Sequence, residues 1–274
     1  DHFAVYLQDV RGLAASTIRP HLIYSKDFLE YVGHNANPKA LSKITSKEVE
    51  GFLCICSKRL NRYSLRNVVG YLRRFLRFEY AQGILLGPLH TELDMPRIYR
   101  LEKLPRSLPP KMVEAFLHSI DQTDLVGIRD YTMFFLAATY GLRAGEIASL
   151  TLDDIDWRIG ILHVPIRKTN TPLILPLTDA AGDVLVKYLK KSRPNFTYRQ
   201  MFLRVRAPKG PLNSSAVTET FKRRARSSGL DIPCCGPHCL RHFHAIRLLR
   251  QGTALKTIGD LLGHRNTEST SAYL

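Results

Sequence analysis

The chain has 274 residues, 45% hydrophobic and 23% charged, a mix that supports packed cores in one or two domains and excludes wholesale disorder or collagen-like repeats. Forty Lys and Arg face 24 Asp and Glu, a formal net charge of +16, which is the balance of a protein that meets a polyanion. No apolar run approaches the ~18 residues of a membrane span, and no leader or lipidation motif is visible, so no membrane partner is expected. The start at Asp1-His2-Phe3, without an initiator Met, suggests a fragment or processed chain. Five cysteines favour a reducing cytoplasm, nucleoid-associated in a bacterium, over a disulfide scaffold.

Up to Leu108 there are 17 basic and 10 acidic residues, and beyond it 23 and 14, so the excess is +7 and +9 and is no mere tail. Residues 1–96 read as a small domain of four or five helices. Ser16-Thr17 opens an apolar periodic run through Ile18, Leu22, Phe28, Leu29 and Val32, which ends near Gly33. Thr45 followed by Glu48 is a capping box opening a helix through Val49, Phe52 and Leu53. In the same pattern Cys54 and Cys56 read as core thiols. Ser64 opens a run from Leu65 to Tyr80 with an apolar face, surrounded by Arg62, Arg66, Arg73, Arg74 and Arg77, a basic face suited to DNA phosphates. Residues 97–108, containing proline and carrying Arg97, Arg100, Lys103 and Arg106, read as a stiff basic linker.

The third part, 109–274, reads as mostly α with a small antiparallel β-sheet. Helices are expected at 111–119, 125–139, 180–191, 216–227, 242–251 and 255–262. Residues 156–164 read as a turn and strand, and 173–177 as a second strand joined to it through a hairpin turn at Lys168–Thr171.

Glycine-rich nucleotide loops and the His-Glu-x-x-His metalloprotease pattern are absent from the sequence. Asp153-Asp154-Ile155-Asp156 reads as a turn with a helix cap rather than a magnesium site. Cys234, Cys235, His238, Cys239 and His242 do not have the paired spacing of a zinc site. Neither metal nor other cofactor is therefore expected. Three boxes remain: Gly141-Leu142-Arg143-x-x-Glu146, His238-x-x-Arg241, and Leu261-Leu262-Gly263-His264 followed by Tyr273. In this order and at these distances they resemble the tyrosine recombinase (phage integrase) family, closely from about Ser107 to Tyr273 and loosely over the whole chain.

That resemblance implies a SAM-like helical core-binding domain followed by an α+β catalytic domain. It implies that Arg143 and Arg241 grip the scissile phosphate, with His238 and His264 assisting, Glu146 supporting and Tyr273 as nucleophile. Lys168 corresponds to the hairpin lysine, with Arg167 as fallback and as a DNA contact. Thr171-Pro172-Leu173 stand where the family often has further basic residues. The chemistry calls for the same residue types. Guanidiniums hold nonbridging phosphate oxygens with paired, charge-assisted bonds and stay charged at neutral pH, while a phenol of pKa about 10 needs a cationic site or a base to attack. The expected activity is site-specific DNA recombination through a 3′-phosphotyrosine, on a double-stranded recombination site, by a protein monomeric in free solution and tetrameric on DNA. A type IB topoisomerase and a binding-only DNA regulator are the competing readings. With Tyr273 penultimate, the family's usual following segment is missing here, and weak assembly is expected.

Overall fold

The computed structural model describes residues 2–37, 39–98, 107–165, 173–233, 236–263 and 270. The chain divides into two compact units, 1–103 and 104–274. Residues 99–106 of the expected linker, Arg100 among them, lie outside the described residues, as do Cys234 and Cys235.

Unit 1 is helical. Helix α1 (His2–Val5) runs into a π-turn at Tyr6–Val10 and is followed by α2 (Ala15–Tyr31), α3 (Ser46–Arg59) and α4 (Arg62–Ala81). The capping box at Thr45 forms, with the Thr45 amide donating to Glu48 Oε2 at 2.7 Å. Helix α4 starts earlier than the Ser64 reading. Asn61 caps it by accepting from the Ser64 amide at 3.0 Å, which leaves Ser64 in the third helical position as a capped residue. Phe28, Val49, Phe52, Leu72, Phe75 and Leu76 form the core of this unit. Cys56 is buried there, but Cys54 is exposed, because two helical positions away from Cys56 lies the opposite face. Three of the arginines around α4 bind the protein itself. Arg66 donates to the Pro96 carbonyl at 3.3 Å, Arg73 to that of Leu93, and Arg74 to His21 Nε2 at 2.8 Å. Arg62, Arg77 and Arg97 are exposed.

Unit 2 is built around α6 (Leu125–Tyr140), whose residues are buried on nearly every side. It packs against α5 (Pro110–His118), α7 (Ala144–Ser149), α8 (Asp179–Lys191) and α10 (His238–Arg250). Helix α9 (Ser214–Ser227) lies on α7, and α11 (Leu255–Leu261) on α10. Phe116, Phe134 and Phe221 meet at centroid distances of 5.1–5.7 Å and join α5, α6 and α9 in one core. Strands β1 (Ile155–Asp156), β2 (Ile161–Val164) and β3 (Leu173–Pro176) form an antiparallel sheet in that order, with Leu162 opposite both Ile155 and Leu175. The Tyr140 hydroxyl donates to the Pro176 carbonyl at 3.0 Å, tying the end of α6 to β3. The expected hairpin turn at 168–171 lies outside the described residues.

Helix α10 begins at His238, four residues before the expected 242. Its first turn carries histidines and an arginine rather than an apolar stripe, so periodicity alone registers only its later turns. The six-residue α7 is too short for a periodic signal. In the acidic run, Asp154 accepts from the Thr151 amide at 2.7 Å, Asp153 pairs with Arg199, and Asp156 accepts from the Arg158 amide at 3.0 Å, each a local turn or ion-pair role. Among the described residues, no three His, Cys, Asp or Glu gather as a metal site, and no helix is long and apolar enough to cross a membrane.

Gly127 sets the entry of α6. A Cβ there would stand 1.6 Å from the Asp121 carbonyl oxygen, so the preceding loop must move for any side chain. Gly127→Ala is expected to cost about 3 kcal/mol or more by urea unfolding. A loss under about 1 kcal/mol would show that the loop yields freely.

Candidate active site

The site is assembled where α6 ends. Gly141 leaves the helix with φ +68°, a left-handed turn that favours glycine. Space there is also short, since a Cβ would meet His244 Cδ2 at 2.9 Å and Leu262 Cδ2 at 3.0 Å. Arg143 stands two residues on, at the N-cap of α7, with extended backbone. Glu146, in the first turn of α7, accepts from the Arg143 amide at 2.7 Å and from Arg143 Nη1 at 2.6 Å. Its other neighbour is Arg241, whose Nη1 lies 3.7 Å from Glu146 Oε2. One buried carboxylate therefore lies between two guanidiniums.

Arg241 comes from α10 and is held from behind as well. Its Nη1 donates to the Gly141 carbonyl at 2.8 Å and its Nη2 to the Leu262 carbonyl. The side chain is only 8% exposed, whereas that of Arg143 is 41% exposed, so the pair has one deep member and one that reaches solvent. Arg143 Nη2 also donates to the Gly263 carbonyl at 3.4 Å. Of its five N–H donors, two are used by these described side-chain contacts.

His238 is the first residue of α10, one turn before Arg241 on the same face. It is exposed overall, yet partial desolvation lowers its pKa. Its edge meets the His242 ring at 5.7 Å. Burial, with the charges of His238 and Arg241, pushes His242 down to about 4. Lys168, Arg167, His264 and Tyr273 lie outside the described residues. The fully buried Thr270, against Gly259 of α11, is the described residue closest in sequence to Tyr273.

Two residues that the sequence reading did not single out support the arginines. His244 is buried, and its Nδ1 accepts from Arg247 Nη2 at 3.2 Å. Since Arg247 can only donate, this arrangement needs the neutral ring. Arg247 Nη2 also donates to the Thr139 carbonyl at 3.1 Å. The Thr139 and Gly141 carbonyls, at the end of α6 that attracts cations, thus receive Arg247 and Arg241 from α10. The signal was present as Arg241-x-x-His244-x-x-Arg247, a spacing that puts all three on one helical face.

Residues 106–274 match the family model described as phage integrase family, and residues 1–83 match phage integrase, N-terminal SAM-like domain. The chain belongs to the phage integrase family, the tyrosine recombinases. It is 32% identical over 98% of its length to a Sinorhizobium fredii protein bearing the name integrase/recombinase y4rA, of which it spans 65%. The chain covers the same share, just under two thirds, of a second such protein, y4rF. It is 30% identical to tyrosine recombinase XerD of Listeria monocytogenes, covering all of this chain and 92% of that one. Its fold is that of the lambda integrase fragment 75–356 solved as a dimer bound to a COC′ core site. The TM-score is 0.75 and the identity 21%, with coverage of 100% of this chain and 93% of that chain. The mostly helical fold with a small antiparallel sheet and a SAM-like N-terminal domain agrees with the sequence reading.

Glu146→Ala would take from the buried Arg241 the carboxylate that stands 3.7 Å from it, and a loss of about 3–5 kcal/mol in unfolding free energy is expected. An unchanged midpoint in denaturant would mean that the pair is not held by this carboxylate. The histidines give a pH signature. With pKa lowered to about 4 in the folded chain against 6.5 unfolded, His244 contributes stability that is complete above pH 6.5 and is lost as pH falls toward 4. Its share is on the order of 3 kcal/mol. His244→Phe should flatten the fall of Tm between pH 6.5 and 4, and an unaltered slope would contradict the neutral buried ring.

Proposed function

We propose that the protein is a site-specific DNA recombinase that cleaves and rejoins strands through a 3′-phosphotyrosine at Tyr273. The observation that carries this reading is the convergence of Arg143 and Arg241 on Glu146, one guanidinium deep and one reaching solvent. Attack by the Tyr273 phenol on the scissile phosphorus would form the phosphotyrosine and release a 5′ oxygen. Arg143 and Arg241 would hold the nonbridging oxygens as negative charge concentrates on them, a contribution on the order of 3–4 kcal/mol per preorganised donor. His238 and His264 would assist proton transfer at the phenol, and Lys168, with Arg167 as fallback, would protonate the leaving oxygen. Attack by a different 5′ hydroxyl then reverses the step, and the bond energy is conserved without nucleotide. The two guanidiniums supply the charge that a metal would otherwise bring, so this route calls for neither metal nor other cofactor.

The partner is a double-stranded recombination site, bound by a protein monomeric in solution and tetrameric on DNA. Arg62, Arg77 and Arg97 are exposed on unit 1 and suit phosphate contacts. Arg66, Arg73 and Arg74 reach DNA only with the N–H groups left over from their internal bonds, and Arg100 and Arg167 are proposed on sequence alone. The domains are proposed as 1–96 for core binding, 97–108 as linker and 109–274 for catalysis.

Incubation of the full chain with a pool of nicked duplexes of randomised sequence tests this. The expected product is a protein–DNA adduct that survives denaturation and is absent with Tyr273→Phe. DNA binding without any adduct would leave a binding-only protein. An adduct retained by Tyr273→Phe would remove Tyr273 from the reaction. In the same assay Arg143→Lys should lower adduct formation more than about a hundredfold while binding stays largely intact, because lysine keeps charge but loses the planar fork. A near wild-type rate would exclude Arg143 from the transition state.

A further inference from the structure

The far end of α6 carries a second cluster of arginines, separate from the pair at Gly141. Its centre is Asp130, which is fully buried. Asp130 Oδ1 accepts from Arg129 Nε at 3.0 Å and Nη2 at 2.7 Å. Its Oδ2 accepts from Arg224 Nε at 2.9 Å and Arg223 Nη2 at 3.3 Å. One carboxylate thus fixes three guanidiniums, and Arg129 is further tied to the Leu203 carbonyl at 3.2 Å. All three line a cleft of about 400 Å³, together with Arg204 and Arg206. Among the described residues, neither Arg204 nor Arg206 has a side-chain hydrogen bond or ion pair, although both line this cleft. Asp124 is the one acid lining the cleft, and it is engaged in capping α6 through the Gly127 amide. Five guanidiniums against the carboxylates of Asp124, Asp130 and Asp121, the last in the field of Arg224, leave an excess of two positive charges around this concavity.

Its place in the fold separates it from the catalytic arginines. Asp130 precedes Gly141 on α6, and at 1.5 Å per residue the two are about 16 Å apart along the axis. Helix α9 gives the same separation in the opposite direction. Ser214 at its start lies beside Gly145, with Ser214 Cβ 4.0 Å from where a Gly145 Cβ would stand, while Arg224 near its end holds Asp130. A phosphate bound at the cleft is therefore not the one held by Arg143 and Arg241.

We propose that this cleft is a second phosphate-binding site, taking a backbone phosphodiester of duplex DNA outside the position being cleaved. Asp130 is engaged by three guanidiniums, Asp124 by the Gly127 amide and Asp121 by Thr123, so none of these acids pairs with Arg204 or Arg206. A tetrahedral oxyanion suits this cleft. Arg223, with a side chain 61% exposed, and Arg204 and Arg206 can donate to separate oxygens. The fixed trio lowers the ordering cost of binding, because those side chains already hold their rotamers. The proposal rests on the DNA-processing reading for the source of the phosphate, but not for the presence of the anion site.

The test uses the full chain and the R204Q/R206Q double variant, which leaves Asp130 and its three partners in place. Duplex affinity is measured across a salt series, together with binding of inorganic phosphate and adduct formation on nicked duplex. The variant is expected to bind duplex more weakly, with a log–log salt slope shallower by about one unit for one lost phosphate contact. It should also lose inorganic phosphate binding and keep Tyr273-dependent adduct formation once DNA is saturating. An unchanged salt slope overturns the proposal, and so does phosphate binding that survives the double substitution. Polyglutamate displacing phosphate while the DNA slope is unchanged would assign the cleft to an acidic polypeptide, which also overturns it. A shifted slope without any adduct in the wild type would uphold this site while refuting the recombinase reading.

Discussion

A carboxylate shared by two guanidiniums is the constraint on which unit 2 is organised. Glu146 accepts from the Arg143 amide and side chain and faces Arg241 at 3.7 Å. Two cations aimed at one position repel each other, and a long flexible arginine gives up rotamer freedom to stay there. A buried acid between them offsets both penalties before any substrate arrives. The cost is its own desolvation, which is why removing one partner is expected to be more damaging than the pair's net worth. The left-handed turn at Gly141 serves the same end, since it brings Arg143 onto α7 and offers its carbonyl to Arg241.

Helix α6 works as a rod with a basic cluster at either end. At its C-terminal end the carbonyls of Thr139 and Gly141 receive Arg247 and Arg241. Near its N-terminal end Asp130 gathers Arg129, Arg223 and Arg224. Both arrangements place side chains from helices distant in sequence on one rigid element. The apolar packing of Phe116, Phe134 and Phe221 along α6 keeps the two ends in register.

The sequence was informative where periodicity or a cap is strong. Helices α2, α6, α8 and α9 begin and end within two residues of their expected positions, and α3 begins at its expected cap, because each has a clear apolar stripe or a Thr, Asp or Asn at its start. It was silent where function displaces pattern. The first turn of α10 holds His238, Arg241 and His242, so its start was placed four residues late, and α7 is a single short turn-and-a-half. The Gly-x-Arg-x-x-Glu and His-x-x-Arg boxes singled out Arg143, Glu146 and Arg241, which the fold brings side by side. They did not reveal His244 or Arg247, whose roles depend on which helix lies opposite. Nor did the count of arginines near α4 distinguish the half-buried Arg73 and Arg74 from the exposed Arg62 and Arg77.

The central claim, that Glu146 makes the two arginines act as one unit, is tested most directly by a double-mutant cycle. Single-turnover adduct formation is measured for Glu146→Gln, Arg241→Lys and the combination, at saturating nicked duplex. If the pair is organised by this carboxylate, the double variant should be little slower than the worse single, with a coupling of at least about tenfold. Rate losses that simply multiply would show that Glu146 and Arg241 act independently, and would contradict the account.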